Sequence, residues 1–249
     1  MRTLVAALAL ALGASGAIAE GSSPRGYIAG DGPSSGAALW TGAYVGANIN
    51  YSWADVEVRN NLNPADGVPP GPWSYGTEGL GGGIVFGYNK QFSALVVGIE
   101  VEGGSMNVDG GAKGPASSMV PFFQTIDLEG GLYGTLAARL GVVLAERTLF
   151  YGKAGYTWTD ITASQTTPKP GYLTNPTGAL HGFTYGGGIE YMADARVTLR
   201  LEYLRYDLGK SIGDQENVGD FSSPIGYRFT NSHDVTVDTV KLGINFKMN

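Results

Sequence analysis

From position 40 onward, apolar and polar residues alternate with a period of two. Ala43, Val45, Ala47, Ile49, Tyr51 and Trp53 fall on one face, while Tyr44, Gly46, Asn48, Asn50 and Ser52 fall on the other. Such alternation predicts a strand whose two sides meet different surroundings. A second segment sets Leu80, Ile84, Phe86 and Tyr88 against Gly81, Gly83, Gly87 and Asn89, and a third sets Leu95, Val97, Ile99 and Val101 against Gly98, Glu100 and Glu102. A fourth sets Leu128, Leu132, Leu136 and Leu140 against Glu129, Tyr133, Thr135 and Arg139. The fifth opposes Phe150, Ala154, Tyr156 and Trp158 to Tyr151, Lys153, Thr157 and Thr159; the sixth opposes Phe183, Tyr185, Ile189 and Tyr191 to Thr184, Gly186, Gly188 and Glu190. In the seventh, Val197, Leu199, Leu201 and Tyr203 oppose Arg196, Thr198, Arg200 and Glu202; in the eighth, Val240, Leu242, Ile244 and Phe246 oppose Thr239, Lys241, Gly243 and Asn245.

The connections alternate too. Tight turns are expected at 90–92, 144–147 and 193–195, and long segments rich in Gly, Pro, Asn and Ser at 59–77, 105–125, 164–180 and 209–232. An up-and-down meander brings the four long loops to one side and the turns and termini to the other. The expected fold is all-β: an eight-stranded antiparallel barrel, with ten strands open because 105–125 has room for another hairpin.

The pattern is shared with soluble ligand-binding barrels, whose apolar face points inward. Three features select the opposite orientation, a transmembrane barrel with lipid outside. Long loops on one side and short turns on the other are the habit of outer-membrane barrels. Aromatic residues of the apolar face gather at both strand ends, with Tyr88, Phe150, Tyr191 and Phe246 near the turns and Tyr51, Trp53, Tyr156, Trp158, Phe183 and Tyr203 toward the loops. Two such girdles suit two headgroup layers. The polar face carries charges of both signs mid-strand, Glu100, Glu129, Glu190 and Glu202 with Arg139, Lys153, Arg196, Arg200 and Lys241, which a narrow lumen can pair across its axis.

Composition narrows the compartment. Arg2, the apolar run 4–12 and Ala17-Ile18-Ala19 form a signal peptide expected to be cleaved before Glu20. A flexible leader over 20–39 and a barrel domain over 40–249 are expected to follow. Without its signal peptide the chain carries a net charge of −7, which argues against nucleic acid as a partner. There are no cysteines, so hydrogen-bonded ladders and packing must hold the fold. Forty glycines disfavour long helices.

The blocks Trp40-Thr41-Gly42-Ala43-Tyr44-Val45-Gly46-Ala47, Gly82-Gly83-Ile84-Val85-Phe86-Gly87-Tyr88-Asn89, Leu201-Glu202-Tyr203-Leu204-Arg205-Tyr206-Asp207-Leu208-Gly209 and Val240-Lys241-Leu242-Gly243-Ile244-Asn245-Phe246-Lys247 resemble those of the alphaproteobacterial outer-membrane β-barrel family. These are RopB-like surface proteins often called porin family proteins, more distantly similar to the OmpA and OmpX barrels. The resemblance covers nearly everything from Trp40 onward. It implies an abundant non-enzymatic surface protein that supports outer-membrane integrity, set among outer-membrane lipid and lipopolysaccharide, with loops displayed to the surroundings or to a ligand not identified by sequence. It also implies assembly by the barrel-insertion machinery, which reads a terminal aromatic residue. Here the chain ends Met248-Asn249, leaving Phe246 for that role, and no peptidoglycan-binding domain like that of OmpA is expected.

Chemical motifs are sparse. His181 and His233 sit on non-neighbouring strands and predict no metal pair. Neither lies beside a serine in a nucleophile elbow, so no catalytic residue is expected. Gly81-Gly82-Gly83 and Gly186-Gly187-Gly188 lie within strands and lack the Lys and helix of a phosphate-binding loop. No cofactor is expected. The lumen charges admit a narrow ion path or a plug of ion pairs, and the bore of an eight-stranded barrel, which its own side chains fill, favours the plug. Porin-like conduction and loop-mediated adhesion are the alternatives.

Overall fold

A computed structural model describes residues 39–60, 73–113, 125–144, 147–166, 179–216 and 228–248. The expected signal peptide and nearly all of the expected leader lie outside them.

Eight strands close a barrel: β1 (Gly42–Asn60), β2 (Trp73–Phe92), β3 (Leu95–Ser105), β6 (Leu132–Leu144), β7 (Thr148–Thr159), β9 (His181–Met192), β10 (Val197–Glu216) and β11 (Arg228–Lys247). Every pairing is antiparallel between neighbours in barrel order, and β1 meets β11 from Tyr44↔Lys247 to Asn60↔Asn231, so no edge is left within the span. That closure satisfies the ladder where water is absent. The remaining strands β4 (Gly110–Lys113), β5 (Thr125–Glu129) and β8 (Thr162–Thr166) form a separate sheet in the order β4-β5-β8. Part of 105–125 is therefore strand, as the ten-strand alternative required, but it pairs outside the barrel.

The barrel wall is uneven. β1, β2, β10 and β11 are 19 or 20 residues long, about twice the 9–11 that span a bilayer. They lie side by side and rise as a four-stranded wall beyond the other half, whose strands have 11 to 13 residues. The expected loops at 59–77 and 209–232 are correspondingly shorter, because β1 runs to Asn60, β2 starts at Trp73 and β10 and β11 fill much of 209–232. The first tight turn sits at Ser93 and Ala94, since β2 continues through Phe92.

The wall extends because its polarity inverts while its pairing continues, in one register between β1 and β11 and through a bulge after Asp207 between β10 and β11. Up to Trp53, apolar residues of β1 face out; beyond it, Asp55 is exposed outside and Ala54 and Val56 are buried inside. The same change occurs on β11, where Val235 and Val237 are buried, and on β10, where Leu204, Tyr206 and Leu208 are buried while Asp207 is exposed. Trp53 pairs with Asp238 and Asp238 with Arg205, so the changeover runs level along the sheet. Below it the outside is hydrocarbon; above it the outside is water, and the apolar face must turn inward.

The lumen is thus layered. At the turn end Trp40, Val96, Leu149, Tyr151 and Met192 pack together. Ionised side chains fill the middle. At the loop end the wall residues join Met106, Val108, Leu128, Tyr133, Ile161 and Leu180 in an apolar cluster. Outside, Ile49, Ile84, Phe86, Ile99, Leu136, Leu201 and Leu242 are all exposed, an apolar band far larger than a soluble monomer carries.

Two of the expected lumen charges are corrected. The expected fourth strand is broken by Gly130 and Gly131, which have φ of 113° and 147°, a region open chiefly to glycine. Leu128 is consequently buried rather than facing lipid, and Glu129 lies exposed on β5 instead of in the lumen. Arg196 is exposed in the turn before β10, where its backbone N–H bonds the Asp194 carboxylate and the strand alternation has not yet begun.

Candidate functional site in the barrel lumen

The site begins with two carboxylates on β3. Glu100 and Glu102 are two residues apart and therefore share the lumen face. Glu100 lies 2.9 Å from Arg139 on β6, 2.6 Å from Lys153 on β7 and 3.1 Å from Arg200 on β10. β3 and β10 stand four places apart in the circle of eight, so the Arg200 contact crosses the full bore. Glu102 lies 2.5 Å from Lys241 on β11 and 3.2 Å from Lys153, and accepts bonds from the Tyr133 hydroxyl at 2.6 Å and the Asn48 amide at 3.0 Å.

Two further carboxylates complete the set. Glu190 on β9 takes the other arm of Arg139 at 2.6 Å and the Asn245 amide at 2.8 Å. Glu202 on β10 accepts from the Tyr151 hydroxyl at 3.0 Å and lies 3.5 Å from Lys153. The ionised side chains of this cluster are at most 4 % exposed. Arg139, Lys153, Arg200 and Lys241 balance Glu100, Glu102, Glu190 and Glu202, so the layer is neutral by pairing. Its cations also lie on ring faces: the Arg139 guanidinium is 4.0 Å from the Tyr151 ring centre and the Lys241 ammonium is 4.7 Å from that of Tyr133, a favourable contact where water is excluded.

The tyrosines fit because their cross-strand partners on the neighbouring strands, Gly87 for Tyr44 and Gly188 for Tyr151, lack side chains. A Cβ at Gly87 would stand 2.3 Å from the Tyr44 ring, and one at Gly188 would stand 2.7 Å from the Tyr151 hydroxyl. Tyr44 uses that space to donate to Glu100 and to accept from Arg139.

Of the lumen residues expected from sequence, the structure brings together Glu100, Arg139, Lys153, Glu190, Arg200, Glu202 and Lys241; Glu129 and Arg196 stand apart. Sequence reasoning did not single out Glu102, although its parity matches Glu100, nor Tyr44, Tyr133 and Tyr151, whose signal is a bulky polar-face residue across from glycine. Of the girdle residues, Tyr51, Tyr88, Phe150, Trp158, Phe183, Tyr191, Tyr203 and Phe246 are exposed on the outer face. Trp53 and Tyr156 are half-buried among their neighbours, Trp53 6.0 Å from Tyr51 and Tyr156 5.0 Å from Trp158 between ring centres. His181 is exposed at the start of β9, with Nδ1 2.6 Å from the Tyr156 hydroxyl; His233 is on β11, and β10 separates the two strands.

Residues 4–229 match the family described as outer membrane protein beta-barrel domain. The chain is 29% identical over 226 residues to the 31 kDa outer-membrane immunogenic protein of Brucella melitensis, covering 84% of this chain and 83% of that protein. It is 28% identical over 211 residues to the 22 kDa outer membrane protein of Rhizobium leguminosarum bv. viciae, covering 85% and 79%. Among solved structures, the outer membrane protein OprG of Pseudomonas aeruginosa superposes with a TM-score of 0.58 at 14% identity, covering 84% of this chain and 97% of that one; this likeness concerns the fold.

Proposed function

Since the chain belongs to the outer membrane protein β-barrel family and resides in the outer membrane, we propose that it is a non-enzymatic structural barrel that supports outer-membrane integrity and displays surface loops. The observation that carries this reading is the neutral charge layer. Arg200 and Lys241 reach across the bore to Glu100 and Glu102 on β3 with all four side chains buried, which favours a plug over an ion path. A conducting lumen would need its charges hydrated, whereas these take one another as partners.

The connections from β1 to β2, β4 to β5, β8 to β9 and β10 to β11 leave from one end, opposite the turns. The word immunogenic in the name of the Brucella relative supports a surface-displayed role for that end. The aromatic girdles suit lipid below and lipopolysaccharide above. Phe246, exposed near the end of β11, is the residue we assign to the barrel-insertion machinery.

The plug is tested by reconstituting purified protein in planar bilayers. Silent membranes at protein loads where a known porin conducts are the expected outcome. Reproducible unitary steps, altered in size by Lys241→Glu, would replace the plug with a channel.

A further inference from the structure

Three short barrel strands bend at one level. Residues 106–109 join β3 to β4, Gly130 and Gly131 join β5 to β6, and Asp160 and Ile161 join β7 to β8. At these bends the barrel ladder ends in single backbone bonds, Met106 N–H to the Gly131 carbonyl at 2.8 Å and Asp160 N–H to the Leu132 carbonyl at 3.1 Å, and carboxylates take the adjoining amides. Asp160 accepts the N–H groups of Gly131 at 2.7 Å and Leu132 at 2.8 Å, and Asp109 accepts that of Gly130 at 2.9 Å. Three consecutive amides of the middle bend are thus held by side chains from the two bends flanking it. The middle bend is also the one that only glycine suits: a Cβ at Gly131 would stand 2.7 Å from the Asn107 nitrogen.

The sheet beyond the bends has two unlike faces. Leu128 is buried with Met106, Val108 and Ile161 against Val56, Val235, Val237 and Leu208 of the opposite wall, while Glu129, the next residue on the same strand, is exposed. The side next to β2 is stitched by Thr77 donating to the Val108 carbonyl at 2.8 Å and Asn107 donating to the Leu80 carbonyl at 2.7 Å. From this arrangement we propose that β4, β5 and β8 form a hinged cap over the loop end of the lumen, held shut by the Asp160 carboxylate with Asp109 as its second clasp.

The cap is a second closure, different in chemistry from the charge layer. It lies above the level where the outer wall turns polar, so it is built like a soluble protein, apolar underneath and polar on top. Opening it requires the release of the carboxylate-to-amide bonds that fix the middle bend, of the Thr77 and Asn107 bonds to the β2 side and of the apolar underside, and leaves the eight-stranded ladder whole. The inference goes beyond the plugged-lumen reading and does not require it.

The absence of native cysteine permits a direct test on intact cells. Leu128→Cys and Glu129→Cys, each in the full chain, are reacted with a membrane-impermeant maleimide. Glu129→Cys is expected to react about 100-fold faster than its neighbour. Adding Asp160→Ala to Leu128→Cys is expected to raise the rate about tenfold or more, with Asp160→Asn in between because its amide oxygen still accepts a bond. Gly131→Ala, which disturbs the same bend from the other side, is expected to act like Asp160→Ala. All variants are compared as barrels that retain their heat-dependent mobility in SDS. Equal rates at 128 and 129 in the parent chain would show that there is no cap. A slow Leu128→Cys rate unmoved by both Asp160→Ala and Gly131→Ala would show that Asp160 is not its latch.

Discussion

Replacing Glu102 by Gln removes one charge from the lumen and almost no volume. Glu102 takes Lys241 at 2.5 Å, Lys153 at 3.2 Å, Tyr133 at 2.6 Å and Asn48 at 3.0 Å. The glutamine carbonyl, standing in for Oε1, can still accept from Tyr133, Asn48 and Lys241, while the amide takes the place of Oε2 beside Lys153, which keeps Glu100 at 2.6 Å. Lys241 keeps that neutral carbonyl, the Tyr133 hydroxyl at 3.0 Å and two ring faces, but has no carboxylate at contact distance. Stranding one partner of a buried pair costs about 3–5 kcal/mol, and the carbonyl, rings and hydroxyl left to Lys241 put the expected cost near the lower end. With a urea slope of about 1–3 kcal/mol per molar, the midpoint should fall by about 1–3 M.

Adding Lys241→Met removes the stranded charge, so the double variant should unfold within about 1 kcal/mol of the parent. Both can be followed by tryptophan fluorescence in lipid vesicles. A cost for Glu102→Gln below about 1 kcal/mol, or a double variant no more stable than its weaker single parent, would mean that the layer is hydrated and that the argument for a plug fails.

Gly87→Val should destabilise the barrel by about 1–3 kcal/mol, the usual cost of overpacking, because its Cβ would collide with the Tyr44 ring at 2.3 Å; Gly134→Ala, with nothing within 4 Å, should be neutral in the same unfolding assay. On the outer face, Leu136→Arg should cost about 2–4 kcal/mol and Leu144→Arg, at the end of its strand, about 0–1 kcal/mol, and equal costs would contradict the assigned membrane level. Phe246→Ala should slow the appearance of heat-modifiable protein in cells while the purified chain refolds into vesicles at an unchanged rate; slowing in both would make Phe246 a packing residue rather than a recognition residue.

The barrel strands were legible in sequence wherever one face met lipid, because hydrocarbon outside and charge inside give Ala43 to Trp53 or Val197 to Tyr203 an unbroken alternation. The reading failed where the solvent changed. Past Trp53 the strand continues, but Asp55 and Val56 reverse the rule that fitted Ser52 and Trp53, so a pattern defined by one orientation ends there and the remainder reads as loop. Glu129 was misplaced for a related reason: its parity agrees with Tyr133 and Arg139 if the strand is unbroken, and only the two glycines between them signal the bend. Arg196 was lost to an ordinary boundary error of one residue. Glu102 is as legible as Glu100, whose strand and polar face it shares, although the pattern of mid-strand charges named only Glu100.

This reversal of polarity also explains why the interior needs two kinds of filling. Within the hydrocarbon span the outer face must be apolar, and an inner face of the same character would give a wall with no preference for either side, free to pair in shifted register. Charged and glycine positions inside remove that ambiguity, and they can be placed there because Arg139, Lys153 and Arg200 all meet Glu100 inside the bore. Above the span, water performs the sorting on the outside, so the inside returns to Val, Leu and Tyr and needs an apolar lid to pack against. A charge layer extended to the loop end would have to exchange hydration for pairing with no gain in register, whereas β4, β5 and β8 supply the missing surface from strands already present.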